Sequence, residues 1–465
     1  MTLLFAQRKA YPPCFCSTCV RLDSFNSTPM NTLRHELSFA FQQAFRTLVP
    51  DQDHRIPIKL DNLILPVLCY APFIFLAYLT RRPDTYLIRL LLLPSVVSLI
   101  LTAAYRFTWS IPELNVYNWG QCLFAAVAIS KSLEFALRPE GMLKVGESSP
   151  GVKKGKEKSK DAQPNGHAEP NHNDSHTQQH PLIAPWFQDA IEVAHTLRGL
   201  DWKFSRGVHV PKEWRPLDPP GFLHATLISF IKNFLLLDFL EAILKLFLGV
   251  GQPLGGSIFY QELTPVPRYL VSTFIHILTG TSILAGFGMV YDLITLFAVG
   301  VLHTSPRSWP PVMEDPWHSE SMHQFWAKNW HQMLRQTFLV FGGYPGKWLA
   351  GNIGMLFGTF LASGLFHEYA MYSMNRGLDS AAVIFFAAQG PVLILERLWR
   401  RFTGKRVSGW PGTLWVYFNM FICAQPMTNS WHRRGLGGGM VIPPIISPAR
   451  LVVLPILKKL LQFQR

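Results

Sequence analysis

Two histidines stand in contrasting settings. His331 lies in Phe325-Trp326-Ala327-Lys328-Asn329-Trp330-His331-Gln332-Met333-Leu334-Arg335, a run that is part aromatic and part polar. His367 lies in Ser363-Gly364-Leu365-Phe366-His367-Glu368-Tyr369, inside an apolar stretch from Trp348 to Tyr372. An ionisable side chain at membrane depth is costly and marks a functional site by default. An imidazole, with an ordinary pKa of about 6.5, takes up and releases a proton near neutrality. The pair points to acid–base chemistry inside a bilayer, with one group on an aqueous loop and the other on a buried helix.

Other chemistries are excluded by spacing. His367-Glu368 begins like H-E-x-x-H, but position 371 is Met, so the zinc-protease pattern fails. There is no G-x-S-x-G elbow and no phosphate-binding G-x-x-x-x-G-K-[ST] loop. Cys14, Cys16 and Cys19 lack a second ligand pair at zinc spacing, and Cys69, Cys122 and Cys423 are scattered through apolar segments. No metal site is expected.

The elements that must position the histidines are membrane spans. Of 465 residues, 49% are hydrophobic and only 15% charged, against about 25% charged in soluble domains. With mean hydropathy +0.16, the composition predicts an all-α polytopic membrane protein. Apolar runs near the ~20 residues needed to cross a bilayer are Asn62 to Leu79, Tyr86 to Tyr105, Leu114 to Leu137, Leu223 to Leu248, Arg268 to Leu302, Trp348 to Tyr372, Ala381 to Leu398 and Thr413 to Trp431. That makes about eight spans. Arg268 to Leu302 reads as one tilted span or as a span plus a re-entrant piece. Leu223 to Leu248 carries Lys232, Asp238, Glu241 and Lys245, which must face the bundle interior or the interface.

The chain divides into a partly disordered leader (1–60), three spans (61–138), a polar disordered linker (139–185), a core (186–440) and a short C-terminal interfacial or membrane segment (441–465). The linker holds Lys153-Lys154-Gly155-Lys156-Glu157-Lys158 and almost no aliphatic residues, too few to offset the entropy of ordering. The net charge of +14 sits mainly in loops flanking apolar runs. That is a positive-inside pattern rather than a nucleic-acid footprint. Placing Arg81-Arg82 in the cytosol puts the linker, the 303–347 loop and the basic loop Arg397–Arg406 there too. Arg433-Arg434 then falls on the wrong side. Asn26 becomes a possible glycan site, and Asn173 stays unmodified.

The 303–347 loop is rich in Trp (Trp309, Trp317, Trp326, Trp330) and His (His303, His318, His323, His331). On a helical wheel Phe325, Trp326, Trp330, Met333 and Leu334 share one side, which predicts an amphipathic helix pressed onto the membrane. The tryptophans alone read as a headgroup-level belt. Trp326, Asn329, Trp330, Arg335 and Glu368 are the candidate substrate-binding residues, with Arg335 suited to an anionic phosphate.

The order Phe325-Trp326-x-x-x-Trp330-His331-Gln332, then Phe366-His367-Glu368, resembles the wax-synthase branch of the membrane-bound O-acyltransferases. The likeness is to fungal members found with terpenoid and meroterpenoid pathways and covers roughly residues 190–440. It implies an MBOAT-like fold, His367 as catalytic base and His331 as the second catalytic candidate, standing where the family often has Asn, with its role open between binding, orienting and packing. It further implies acyl-CoA, acetyl-CoA first, as co-substrate, with no tightly bound cofactor, a lipophilic terpenoid-type alcohol as acceptor, and the endoplasmic reticulum membrane as location. A long-chain wax or sterol ester synthase is the competing enzyme. A transporter using Asp238, Glu241 and His367 as a relay is the competing non-enzyme.

Overall fold

A computed structural model of the chain describes residues 29–153, 184–374, 377–456 and 459. The Cys14–Cys19 cluster, Asn26, most of the polar linker and Asn173 lie outside the described residues. Residues up to Thr47 form one unit and Leu48 onward another. The first contains α1 (Pro29–Leu48), whose Leu33, Leu37, Phe41 and Phe45 are exposed.

The second unit is helical throughout. In chain order come α2 (Ile64–Leu68), α3 (Ala71–Leu79), α4 (Tyr86–Tyr105), α5 (Asn115–Leu137), α6 (Pro185–His195), α7 (Pro219–Leu244), α8 (Pro265–Gly300), α9 (Met322–Gln324), α10 (Arg335–Phe338), α11 (Tyr344–Tyr372), α12 (Ala381–Thr403), α13 (Gly409–Tyr417) and α14 (Gln425–Arg433). Among the described residues strands are confined to two short pairs, Ile56–Pro57 with Phe107–Thr108 and Glu147–Ser149 with Val152–Lys153. Among the described residues five helical segments are long and apolar enough to cross a membrane: Tyr86–Tyr105, Pro112–Leu137, Pro265–Gly300, Arg335–Tyr372 and Ala381–Thr403. The ambiguous Arg268 to Leu302 run is one continuous helix of 36 residues.

The segment Arg335–Tyr372 is not one rod. Ala350 (φ −142°) and Gly351 (φ +61°, ψ −145°) leave the helical region and reverse the chain. Gly342 then faces Gly358, and Gly346 faces Gly354, so closely that a Cβ on any of the four would overlap the opposite backbone carbonyl. Two G-x-x-x-G stripes meeting face to face let two helical arms approach at backbone distance. The expected span from Trp348 is therefore the outgoing arm of an antiparallel hairpin. Its incoming arm begins at Arg335.

The charges on α7 bind the C-terminal segment. Asp238 accepts from the Ala449 amide (2.7 Å) and from the Ser447 hydroxyl. Glu241 pairs with Lys245 (2.8 Å) and Arg450, and accepts from the amides of Val441 and Ile442. These carboxylates are occupied in holding residues 441–450, which removes two members of the transporter relay.

The expected linker also begins later than composition predicts. Residues 139–153 fold back on the bundle, where buried Glu147 takes two 2.8 Å hydrogen bonds from Arg81. Arg81 and Arg82 both reach Asp189 on α6. The Arg81-Arg82 turn, this hairpin and the start of α6 thus share one end of the bundle.

Candidate active site

The hairpin explains how two distant histidines meet. Residues at similar distances from the turn lie side by side on its two arms, as Phe338 and Phe366 do with ring centroids 5.3 Å apart. His331 precedes the incoming arm and His367 lies near the end of the outgoing one. His331 sits between α8 and α10, outside the spanning helices. Burial, and next the nearness of His367, push its imidazole well below the ordinary range. His331 is therefore neutral at physiological pH. Its Nδ1 is sealed from solvent and has no hydrogen-bond partner among the described residues. The ring stacks on Phe287 of α8 (4.9 Å, 30°) and leans on Trp330 (5.4 Å).

His367 points into the bundle. Its Nδ1 lies 2.7 Å from the carbonyl oxygen of Ser363, one helical turn back. A carbonyl only accepts, so Nδ1 carries the proton and Nε2 keeps its lone pair. Among the described residues nothing hydrogen-bonds to Nε2. The ring is nearly parallel to Phe386 of α12 (4.5 Å, 16°) and to Trp431 of α14 (6.0 Å, 20°). Phe386 also contacts Trp326 (6.0 Å), whose Nε1 donates to Gln389 (3.1 Å). Trp326, Trp330, His331 and His367 thus share one aromatic chamber. A separate cavity of about 140 Å³, lined in part by Arg215, Asn233, Gly288 and Asp292, lies between α7 and α8.

The predicted amphipathic helix across Phe325–Arg335 does not form. A wide helical turn, Phe325–Asn329, ends at Trp330, whose backbone is extended (ψ 152°). Gln332 Nε2 donates to the carbonyls of Trp326 (2.9 Å) and Trp330 (3.0 Å), satisfying groups a continued helix would have bonded. From the other end, Glu396 of α12 accepts from the amides of Met322 (2.7 Å) and His323 (3.0 Å). The loop is pinned against the bundle with Trp326 and Trp330 packed inward rather than in a headgroup belt, whereas Trp317 is exposed.

Three other candidates have different employment. Asn329 is buried, and its amide donates to the Asp315 carbonyl (3.1 Å) and the Ser319 hydroxyl (3.0 Å), so it braces the loop. Arg335 is half-buried beside Gly207 and has no hydrogen bond to its guanidinium among the described residues. Glu368 does not orient His367. Both its oxygens bind buried Arg434 (2.7 and 2.8 Å), and it also accepts from the Asp379 amide. Arg434 is thus a structural cation, which accounts for its place on the wrong side of the charge pattern. Sequence reasoning missed Phe386, Gln389 and Trp431. Trp431 was visible only as the aromatic end of an apolar run.

Residues 309–388 match the sequence model of the Membrane bound O-acyl transferase family. That window holds Trp326, Trp330, His331, His367 and Phe386, most of the chamber. An O-mevalon transferase, yanI of Aspergillus niger, is 23% identical over 46% of this chain and 52% of its own length. The acetyltransferase ple2 of Rhodocybe pseudopiperita is 19% identical over 53% of this chain and 60% of its own. The acetyltransferase spyB of Aspergillus fumigatus is 26% identical over 27% and 23%. The chain spans between about a quarter and three fifths of the lengths of these relatives. The resemblance to fungal secondary-metabolite O-acyltransferases drawn from the paired histidine motifs is borne out.

The Glu368–Arg434 pair ties α11 to α14 beside the chamber. Glu368→Ala strands a buried guanidinium, and breaking such a pair costs about 3–5 kcal/mol. The expected result is a clear drop in melting temperature of the detergent-solubilised protein, with Glu368→Gln much milder. Equal melting of Glu368→Ala and wild type would show the pair to be idle.

Proposed function

We propose that this chain is a membrane-bound O-acyltransferase that moves an acyl group, acetyl first, from a CoA thioester to a hydroxyl of a lipophilic terpenoid-type alcohol. One observation carries the reading: His367 has its Nδ1–H committed to Ser363, which leaves the Nε2 lone pair unshared beside neutral His331 in an aromatic chamber. An alcohol needs a base as it attacks a thioester. Nε2 takes the hydroxyl proton, the oxygen adds to the carbonyl carbon, and collapse expels the CoA thiolate, which receives the proton back from His367. His331 and Trp330 shape the place where the alcohol meets the thioester. Arg335, with its free guanidinium, suits a CoA phosphate at the mouth. The apolar walls suit an acceptor drawn from lipid. The names of the two acetyltransferase relatives favour acetyl over long-chain donors, and the apolar helices support a membrane location, which we read as the endoplasmic reticulum.

Membranes containing the chain, given acetyl-CoA or palmitoyl-CoA with a panel of terpenoid alcohols, test this by mass spectrometry. The expected product is one alcohol heavier by an acetyl group, made only with acetyl-CoA. Palmitoyl esters alone would overturn the donor assignment. Alcohols recovered unchanged with both donors would overturn acyl transfer itself.

A further inference from the structure

We propose that Trp431 is a catalytic residue whose indole N–H hydrogen-bonds the thioester oxygen as that oxygen becomes an oxyanion. The inference rests on the acyl-transfer reading and supplies what that reading lacks, a donor for the charge that develops when the alkoxide adds. A buried N–H without an acceptor is destabilising, and more so where no water reaches. Three other indoles of the bundle avoid it: Trp326 donates to Gln389, Trp309 to Thr304 and Trp415 to Glu396. Trp431 Nε1 is sealed from solvent and donates to nothing among the described residues.

Its place makes that vacancy meaningful. The indole lies nearly parallel to the His367 ring with centroids 6.0 Å apart. A reacting group hydrogen-bonded to His367 Nε2 is therefore formed close to the indole. Two further polar groups without partners, Trp119 Nε1 and His331 Nδ1, border the same aromatic chamber. An indole nitrogen is a donor only, so what it waits for is an acceptor oxygen. A thioester carbonyl supplies one, and that oxygen accepts most strongly when it carries negative charge.

The donor is also held still. Trp431 packs with Met371, Phe385, Phe386 and Met427. One turn on, Arg434 clamps α14 to Glu368, the residue beside His367. Base and donor thus sit on two helices joined by one buried ion pair. A donor fixed before reaction needs no reorganisation as charge develops, which is where such groups are effective. The electron count closes: the hydroxyl proton goes to His367, the new C–O bond pushes the carbonyl pair onto oxygen beside Trp431, and its return breaks the C–S bond.

The test deletes the N–H and keeps the ring. Trp431→Phe retains an aromatic stack, and replacement of Trp431 by 3-benzothienylalanine retains the whole bicycle with sulfur in place of N–H. Both should lower kcat about 10²–10³-fold, the usual effect of losing one oxyanion donor. KM for acetyl-CoA and for the alcohol should change less than about two-fold. Turnover of the benzothienyl variant within about three-fold of wild type would overturn the proposal, as would an effect confined to KM. Wild-type protein inert toward both acyl donors would instead overturn the acyl-transfer reading.

Discussion

His367→Ala leaves a correctly inserted, normally melting protein that transfers about 10²–10⁴-fold more slowly, the contribution of a positioned general base. The size follows from geometry. Ser363 holds one ring nitrogen at 2.7 Å, so a single tautomer presents a single lone pair. His367→Gln sharpens the test. Glutamine can keep a hydrogen bond to the Ser363 carbonyl and much of the packing against Phe386, but it cannot take a proton. The two variants should be equally inactive, which separates loss of the base from loss of volume. The half-buried ring is replaced by smaller or flexible groups next to Phe366, Phe386 and Trp431, so melting should shift little. Acetyl transfer by His367→Gln at the wild-type rate would remove His367 from the chemistry and leave the chamber as a binding pocket.

Sequence hydropathy carried five of the eight expected spans and the two histidines, because both signals are local; the runs starting at Asn62, Leu223 and Thr413 are not among the five. A run of apolar residues reports its own burial in lipid, and a histidine inside it has no cheap explanation. Signals that depend on a distant partner were silent. Nothing near Arg434 announces Glu368, so a buried pair read as a topological violation. Asp238 and Glu241 looked like intramembrane charges available for a relay, whereas their partners, Ser447, Ala449 and Arg450, come from the far end of the chain. The helical wheel over Phe325–Arg335 failed for a related reason. Gln332 folds back to bond the carbonyls of Trp326 and Trp330, and such side-chain competition with a helix has no periodicity.

The hairpin hid in plain view, since Gly342 and Gly346 precede the expected span at Trp348 while Gly354 and Gly358 lie inside it. Its removal is the second large effect. Gly358→Leu should lower transfer by about 10²-fold or more, because a misplacement of about 1 Å in a reacting constellation costs that much. A Cβ on Gly358 would overlap the carbonyl oxygen of Gly342 and press on Gly346 as well. Neither obstacle is the flexible end of a side chain, so the arms must separate. Separation moves His331, at the start of one arm, away from His367, near the end of the other. The comparison variant is Gly351→Ala at the turn. A Cβ there meets nothing within 4 Å, and its only penalty is the positive φ of +61°, worth about 1–3 kcal/mol of strain. Gly351→Ala should therefore lose melting temperature but keep most of its turnover per folded molecule, whereas Gly358→Leu loses turnover even in the fraction that remains folded. Wild-type turnover by folded Gly358→Leu protein would mean that the two histidines do not work together.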